Sequence, residues 1–313
     1  MKILFHTPQI DVRGTCVSIY DYAHYNETLL EGQSVILTSR EGNHDLDAVF
    51  KFIKRFKVLF YNKIDQIESI ANDFDLFYVI KYGKKDNIIC KNTKTVIHCV
   101  FDLSEPHGDV YAAVSDTLAK KFGIDTFVPH MISLRPSRTG ENLRKFLNIP
   151  ENAVVFGRHG GQDTFNLDIA IKAIIYVVNL FSKVHFIFVN TPRFYDHPHI
   201  HYLNKIVDID EKNRFIMSCD AMIHAQSLGE TFGISIGEFS VNNKPIIAYN
   251  GNVWNDHYKT ILGNRALWYT SKEECQNILL NFDPEKYKNQ DWNCYKEYSP
   301  EKVMKKFKEV FMS

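Results

Sequence analysis

Short apolar runs recur along the chain, each bounded by turn residues and separated from the next by a segment of helical period. In the first half the runs are KILFHT, SVILTS, KVLFYN, DLFYVIKY and KTVIHCVF. GTCVSIYDYAHYNETLLEG, DLDAVFKFIKRF and KIDQIESIANDF read as helices between them. DVYAAVSDTLAKKFG adds a short strand and a helix ending at Gly123, and TFVPHM closes the series as a strand. The pattern then restarts: strand ENAVVFGRHG, helix NLDIAIKAIIYVVNLF, strand KVHFIFVN, helix DEKNRFIMSC, strand DAMIHAQ and strand PIIAY. Strands alternating with helices predict parallel sheets covered on both faces. Two such series predict an α/β chain of two doubly wound, Rossmann-like domains, and 313 residues are too many for one ordinary core. The predicted boundaries are 1–133, 134–297 and a terminal helix over 298–313. MISLRPSRTGENLRKFLNIP, polar and with two prolines, supplies the joint, with a hinge from Arg135 to Gly140. In SPEKVMKKFKEVFMS, Val303, Phe307, Val310 and Phe311 fall on one helical face.

Composition excludes several classes. Lysine plus arginine equals aspartate plus glutamate at 37 each, which argues against a nucleic-acid binder. MKILFHTPQI has too short an apolar run for a signal peptide. DIAIKAIIYVVNLFSKVHFIFV is interrupted by Lys172, Asn179 and Lys183, so no transmembrane segment is expected. A cytoplasmic location, or a peripheral one at a membrane, follows. The six cysteines form no C-x-x-C pair and read as reduced thiols. His197, His199 and His201 alternate as on one strand face, but no cysteine or acid completes a metal site, and they read as a solvated loop leading into a strand.

The densest chemistry lies in GETFGISIGEFSVNNKPIIAY, Gly229 to Tyr249, with Glu230 and Glu238 eight positions apart. It follows strand DAMIHAQ and crosses the start of a helix, the place where doubly wound sheets bind ligands. Gly229 permits a tight turn and Gly233 a close backbone approach. The amides from Gly233 to Ile236 can bind a phosphate at the positive end of the helix. Glu230 and Glu238 can accept hydrogen bonds from sugar hydroxyls. A second reading stays open: SIGE, Ser235 to Glu238, also spells a capping box, in which Glu238 merely closes a helix end.

The same stretch resembles the glutamate-x7-glutamate signature of retaining GT-B glycosyltransferases, especially glycosyltransferase family 4. AAVSDTLAKKFG, FVPHMI and VVFGRHGG resemble further segments of that family, in order, and GTCVSIYDYAHYNETLLEG resembles its glycine loop and first helix. The resemblance implies two domains facing across a cleft that closes on the donor sugar, and metal-independent transfer of a hexose with retention. It implies a UDP- or GDP-linked sugar as donor, no cofactor, and a glycan, lipid-linked or protein-linked sugar as acceptor. Glu238 would hold the ribose and Glu230 the hexose. Thr231, Phe232, Gly233 and Ile234 would give main-chain contacts, and Arg158 would neutralise the leaving diphosphate. Gly14 would let its loop approach the diphosphate. His107 in EPHGD, or else His98 in VIHCVF, would be the cleft histidine, and His107 is preferred because it lies in a loop.

The chain also departs from the family. The usual lysine five or six residues after the arginine is replaced by Asp163 or Thr164, with His159 as a possible substitute cation, and the usual P-S after the strand is His224-Ala225. Two rivals are weaker. A GT-A enzyme would need Asp-x-Asp; Asp73 with Asp75 and Asp208 with Asp210 match the letters but read as surface acids or caps. A nicotinamide enzyme would need G-x-G-x-x-G after the first strand, where only Gly14 stands. The serious alternative is a non-catalytic subunit of the same fold that binds a nucleotide sugar or a partner.

Overall fold

A computed structural model describes residues 1–136, 140–251 and 256–313. Residues 137–139 of the expected hinge therefore lie outside the described residues. The chain divides into two compact units, Met1–Ser133 with Glu297–Ser313, and Leu134–Lys296.

In the first unit the elements are β1 (Lys2–Thr7), α1 (Gly14–Thr28), β2 (Gln33–Ser39), α2 (Leu46–Arg55), β3 (Lys57–Tyr61), α3 (Gln66–Ala71), β4 (Leu76–Lys81), β5 (Lys94–Cys99), β6 (Val110–Ala113) and α4 (Asp116–Lys121). The strands form one sheet in the order β3-β2-β1-β4-β5-β6, and every pairing is parallel. TFVPHM does not form the expected strand. It makes only an isolated bridge, Phe127 to Ala113. Pro129 has no amide to donate, and the carbonyls of Val128 and Pro129 are taken by His98 Nε2 at 2.8 Å and the Tyr22 hydroxyl at 2.7 Å.

In the second unit follow β7 (Val154–Arg158), α5 (Asp168–Leu180), β8 (Val184–Val189), β9 (Ile200–Leu203), α6 (Ile209–Ser218), β10 (Ala221–His224), α7 (Ile234–Val241), β11 (Ile246–Tyr249), α8 (Asp256–Leu262), β12 (Ala266–Tyr269), α9 (Lys272–Leu280) and α10 (Pro284–Tyr287). Its sheet, also parallel, runs β12-β11-β10-β7-β8-β9. Both units thus repeat one doubly wound order, as the alternation predicts. β12 has only four residues and was not expected; so short a run as ALWY carries no period of its own. Core packing in β7 depends on Gly157, where a Cβ would meet Cys219 Sγ at 2.3 Å.

The helix α11 (Pro300–Phe311) belongs to the first unit. Its Phe307 ring lies 5.2 Å from that of Tyr22 and 5.7 Å from that of Tyr78, and Phe311 lies 5.3 Å from His98. Met304 is buried with Val303, while Val310 is only half-buried, so the helix turns slightly from the face the sequence predicts. Phe307→Ala should lower unfolding free energy by about 3–5 kcal/mol in urea titration. Val310→Ala should cost a small fraction of that, and equal costs would contradict this packing.

Two buried histidines set a pH response. His98 is fully buried, with Nδ1 2.6 Å from the Tyr78 hydroxyl and Nε2 facing the Val128 carbonyl. Burial pulls its pKa to about 4, against the opposing pull of the carbonyls. His6, 3.0 Å from the Tyr61 hydroxyl, is pulled to about 3 by burial and then by Lys81. Both folded values lie below the unfolded one near 6.5, so the unfolded chain binds protons first as pH falls. Stability is therefore full above pH ~6.5 and should fall by roughly 3 kcal/mol per pH unit between pH ~6 and ~4, about 1.4 from each histidine. Urea unfolding at a series of pH values measures this slope, and a flat profile would refute it.

Candidate functional site

The order of the second sheet reverses between β7 and β10, and the expected residues gather beyond the carboxyl ends of these strands. β7 ends in Arg158 and leads to His159, while β10 ends in His224 and leads to Glu230 and α7. α7 is preceded by Gly233 at its N-cap, whose φ of +80° is left-handed, a conformation that suits glycine. Glu230 lies in the loop before it. Among the described residues no side chain caps this helix. The amides of Ile234, Ser235 and Ile236 are therefore its open N-terminal donors among the described residues.

This start excludes the capping box. Ser235 lies inside the first turn instead of at the cap, and Glu238 lies in the second turn. Glu238 is buried, with Oε1 accepting from Lys212 Nζ of α6 at 2.8 Å and Oε2 lying 3.0 Å from His159 Nε2. His159 carries a charge toward this oxygen only when protonated, which its burial disfavours. Burial alone would raise the Glu238 pKa. Lys212 and His159 outweigh it and hold the carboxylate down, at about 2. Burial in turn lowers the His159 pKa, with Glu238 opposing. The His159 ring stacks on Phe239 and meets Phe215 edge-on.

Arg158 is turned inward. One terminal nitrogen donates to the carbonyls of Val189 (3.3 Å) and Asn190 (3.1 Å) and to Thr191 Oγ1 (2.6 Å). The other donates to the Gly161 carbonyl (2.6 Å) and to Thr164 Oγ1. Only 3% of the residue is exposed. Burial lowers its pKa to about 10, with Glu230 opposing, so it keeps its charge at neutral pH. Thr164, which with Asp163 stands where a lysine is expected from the resemblance, accepts from this arginine. Glu230 is partly exposed, 3.5 Å from His224 Nε2. His224 is itself buried, with its carbonyl bonded to the Tyr269 hydroxyl. Thr231 and Phe232 are buried, and the Phe232 carbonyl accepts from the Tyr295 hydroxyl at 3.1 Å. Ile234 is half-buried.

Gly14 and His107 belong to the first unit. Gly14 opens α1, just after the loop that follows β1. That loop is fixed by His44, whose Nδ1 accepts from Ile10 N at 3.0 Å, and by the Cys16 thiol, which donates to the Gln9 carbonyl at 3.2 Å. His107 lies in the loop between β5 and β6, as the sequence predicts. The segment around it runs back beside β5: Asp109 N donates to the Thr95 carbonyl at 2.8 Å, and a Cβ on Gly108 would meet Ile97 Cγ1 at 2.8 Å. His107 is held by the Glu105 carbonyl, 2.6 Å from its Nδ1, and flanks the strand. His98 is the packed core residue described above.

Sequence reasoning missed Lys212, because a cation 26 residues from its partner leaves no local signal. It also missed His185 of β8, whose Nδ1 lies 3.2 Å from His201 Nε2. Among the described residues no group of three or more His, Cys, Asp or Glu is placed to hold a metal. The Asp-x-Asp letters are absorbed elsewhere. Asp75 accepts from the Lys2 amide at 2.7 Å, and Asp208 caps α6 through the amides of Asp210 and Glu211, each at 2.9 Å.

No protein-family model matches the chain, and no curated protein matches its sequence. Solved structures do match. HepE of Anabaena, in complex with UDP and glucose, superposes over 100% of each chain with a TM-score of 0.75 and 15% identity. A glycosyltransferase from Rickettsia africae matches at 0.69 with 14% identity, over 99% of this chain and 97% of that one. WaaG, a glycosyltransferase involved in lipopolysaccharide biosynthesis, matches at 0.68 with 10% identity, over 99% and 100%. At these identities the likeness is one of fold. The chain has the GT-B fold, with two Rossmann-like domains.

Proposed function

We propose that the chain is a glycosyltransferase that takes a hexose from a nucleoside-diphosphate sugar and passes it to a sugar or glycan acceptor, retaining configuration and needing no metal. The observation that carries this reading is the uncapped N-terminus of α7 at the β7–β10 switch point, with Glu230 before it and Glu238 on its second turn. The open amides and the helix dipole suit a diphosphate. Glu238, kept ionised by Lys212 and His159, suits two ribose hydroxyls. Glu230 suits the hexose. The fold shared with HepE, which binds UDP and glucose, supports a UDP-linked donor. The leaving charge would be taken by the helix end and by Lys212, with Arg158 holding its charge beneath the loop. The position of Lys212 favours its standing in for the lysine absent at Asp163 and Thr164. His107, flanking β5, is left out of the reaction.

A non-catalytic, sugar-binding role is favoured by one feature: both terminal nitrogens of Arg158 are already engaged within the protein. A thermal-shift screen of nucleotide sugars, followed by assays of donor hydrolysis and transfer, separates the two readings, because a ligand of the folded state raises its stability by mass action. Stabilisation with neither hydrolysis nor transfer would support binding alone, and no stabilisation by any nucleotide sugar would refute both. Activity that vanishes in EDTA and returns with manganese would refute metal independence.

Glu238→Gln should weaken donor binding about 10- to 100-fold, roughly 1–3 kcal/mol for hydroxyls left without a charged acceptor. Lys212→Met should act differently. It removes the main partner opposing burial, so the Glu238 pKa should rise and donor affinity should fall as pH drops through the raised value. Isothermal titration at several pH values measures this, and a pH-independent loss would show that Lys212 acts only through packing. His107→Ala should leave kcat within about threefold of the parent; a loss of 100-fold or more, on the scale of a lost acid–base group, would restore it to the mechanism.

A further inference from the structure

β10 ends in a residue that the chemistry so far leaves idle. His224 stands where the resemblance expects a proline, so no carried-over role covers it. It is 5% exposed and paired with Ala248 of β11, and its carbonyl accepts from the Tyr269 hydroxyl at 2.9 Å, so its main chain is fixed. Its ring lies 5.5 Å from that of Tyr258, which is fully buried. Nε2 faces Glu230 Oε1 at 3.5 Å, and Nδ1 has no hydrogen-bond partner among the described residues. Buried polar side chains are ordinarily bonded, and one that only fills space costs more than a hydrocarbon of its size. What an imidazole meets here, and a hydrocarbon could not hold, is the Glu230 carboxylate.

Glu230 depends on that contact. Its loop is tied on either side. The Ala225 carbonyl accepts from the Asn166 amide at 3.0 Å, Ser227 N donates to Asn166 Oδ1 at 2.8 Å, and the Phe232 carbonyl accepts from the Tyr295 hydroxyl at 3.1 Å. Between these ties the Glu230 side chain is 29% exposed, and among the described residues only His224 comes within hydrogen-bond reach of its carboxylate. Arg158 is near enough for the two charges to interact, but its terminal nitrogens are engaged by Thr191, Gly161 and Thr164. A separation of 3.5 Å is long for a hydrogen bond, and such bonds commonly tighten when a substrate is bound. With the ring hydrogen on Nε2, His224 holds Oε1 and leaves Oε2 to a ligand hydroxyl.

We propose that His224 is a positioning residue: it orients Glu230 toward the sugar of the donor, and so contributes affinity for the sugar and not for the nucleoside diphosphate. This rests on the proposed function, since Glu230 has a hexose to hold only if a nucleotide sugar binds. The diphosphate and ribose fall to the α7 amides and Glu238, so loss of His224 should spare them.

Isothermal titration of the full chain with UDP, UDP-glucose, UDP-galactose and UDP-N-acetylglucosamine tests it. The quantity read is the affinity for the tightest UDP-sugar relative to that for UDP. His224→Leu should lower this ratio about tenfold, with UDP affinity itself within about twofold of the parent. His224→Gln, whose amide nitrogen can take the place of Nε2, should keep the ratio within about threefold of the parent. Glu230→Gln, a change at a partly exposed side chain, should lower the ratio as His224→Leu does, and adding His224→Leu to it should cost less than about twofold more. A merely structural histidine would weaken UDP and UDP-sugar alike and would not be rescued by glutamine. Thermal melting without ligand checks that each variant folds, and should His224→Leu fail to fold, the Gln variants still decide. A parent that binds neither UDP nor any UDP-sugar refutes the transferase reading and this inference with it. A parent that binds them, with a ratio that His224→Leu and Glu230→Gln leave unchanged or with UDP and UDP-sugar weakened equally, overturns the inference alone.

Discussion

Two parallel strands cannot be joined by a tight turn. Each connection must cross back over the sheet, and here most of those crossings contain helices. Every strand of a unit therefore points its carboxyl end toward one edge, and the loops that leave those ends collect there. In the second unit this places the residues after β7 beside those after β10, although more than sixty positions separate Arg158 from His224 in the chain. The helix that follows Gly233 adds an uncapped positive end to the same edge. The site is a consequence of topology first and of side chains second.

The side chains then solve a local problem of charge. A carboxylate as buried as Glu238 is unfavourable by itself, and a buried pair gains only when both partners are well placed. Lys212 approaches one oxygen and His159 the other. His159 is itself disfavoured as a cation by burial, so Lys212 is the partner that keeps its charge across the physiological range. Arg158 shows the opposite arrangement. Its neighbours are carbonyls and hydroxyls, and its charge serves to tie the loops after β7 and β8 together.

The parts of this molecule legible in its sequence are those with local signals. Strand and helix alternation, with glycine and proline as punctuation, revealed most of the elements up to β11. The glutamates around Gly233 drew attention to the second sheet. What escaped notice lacked a local period or depended on distance. β12 is four residues long. TFVPHM has the composition of a strand but a proline that denies it the ladder. Lys212 is defined by its approach to Glu238 across two helices.

The placement of α11 also orders events in time. Phe307 and Phe311 fill the core around Phe5, Tyr22, Tyr78 and His98, so the first unit is incomplete until residues from the far end of the sequence reach it. A ribosome makes all of the second unit, Leu134 to Lys296, before it makes that helix. The core of the unit that is translated first is thus complete only when the last residues of the chain have been made.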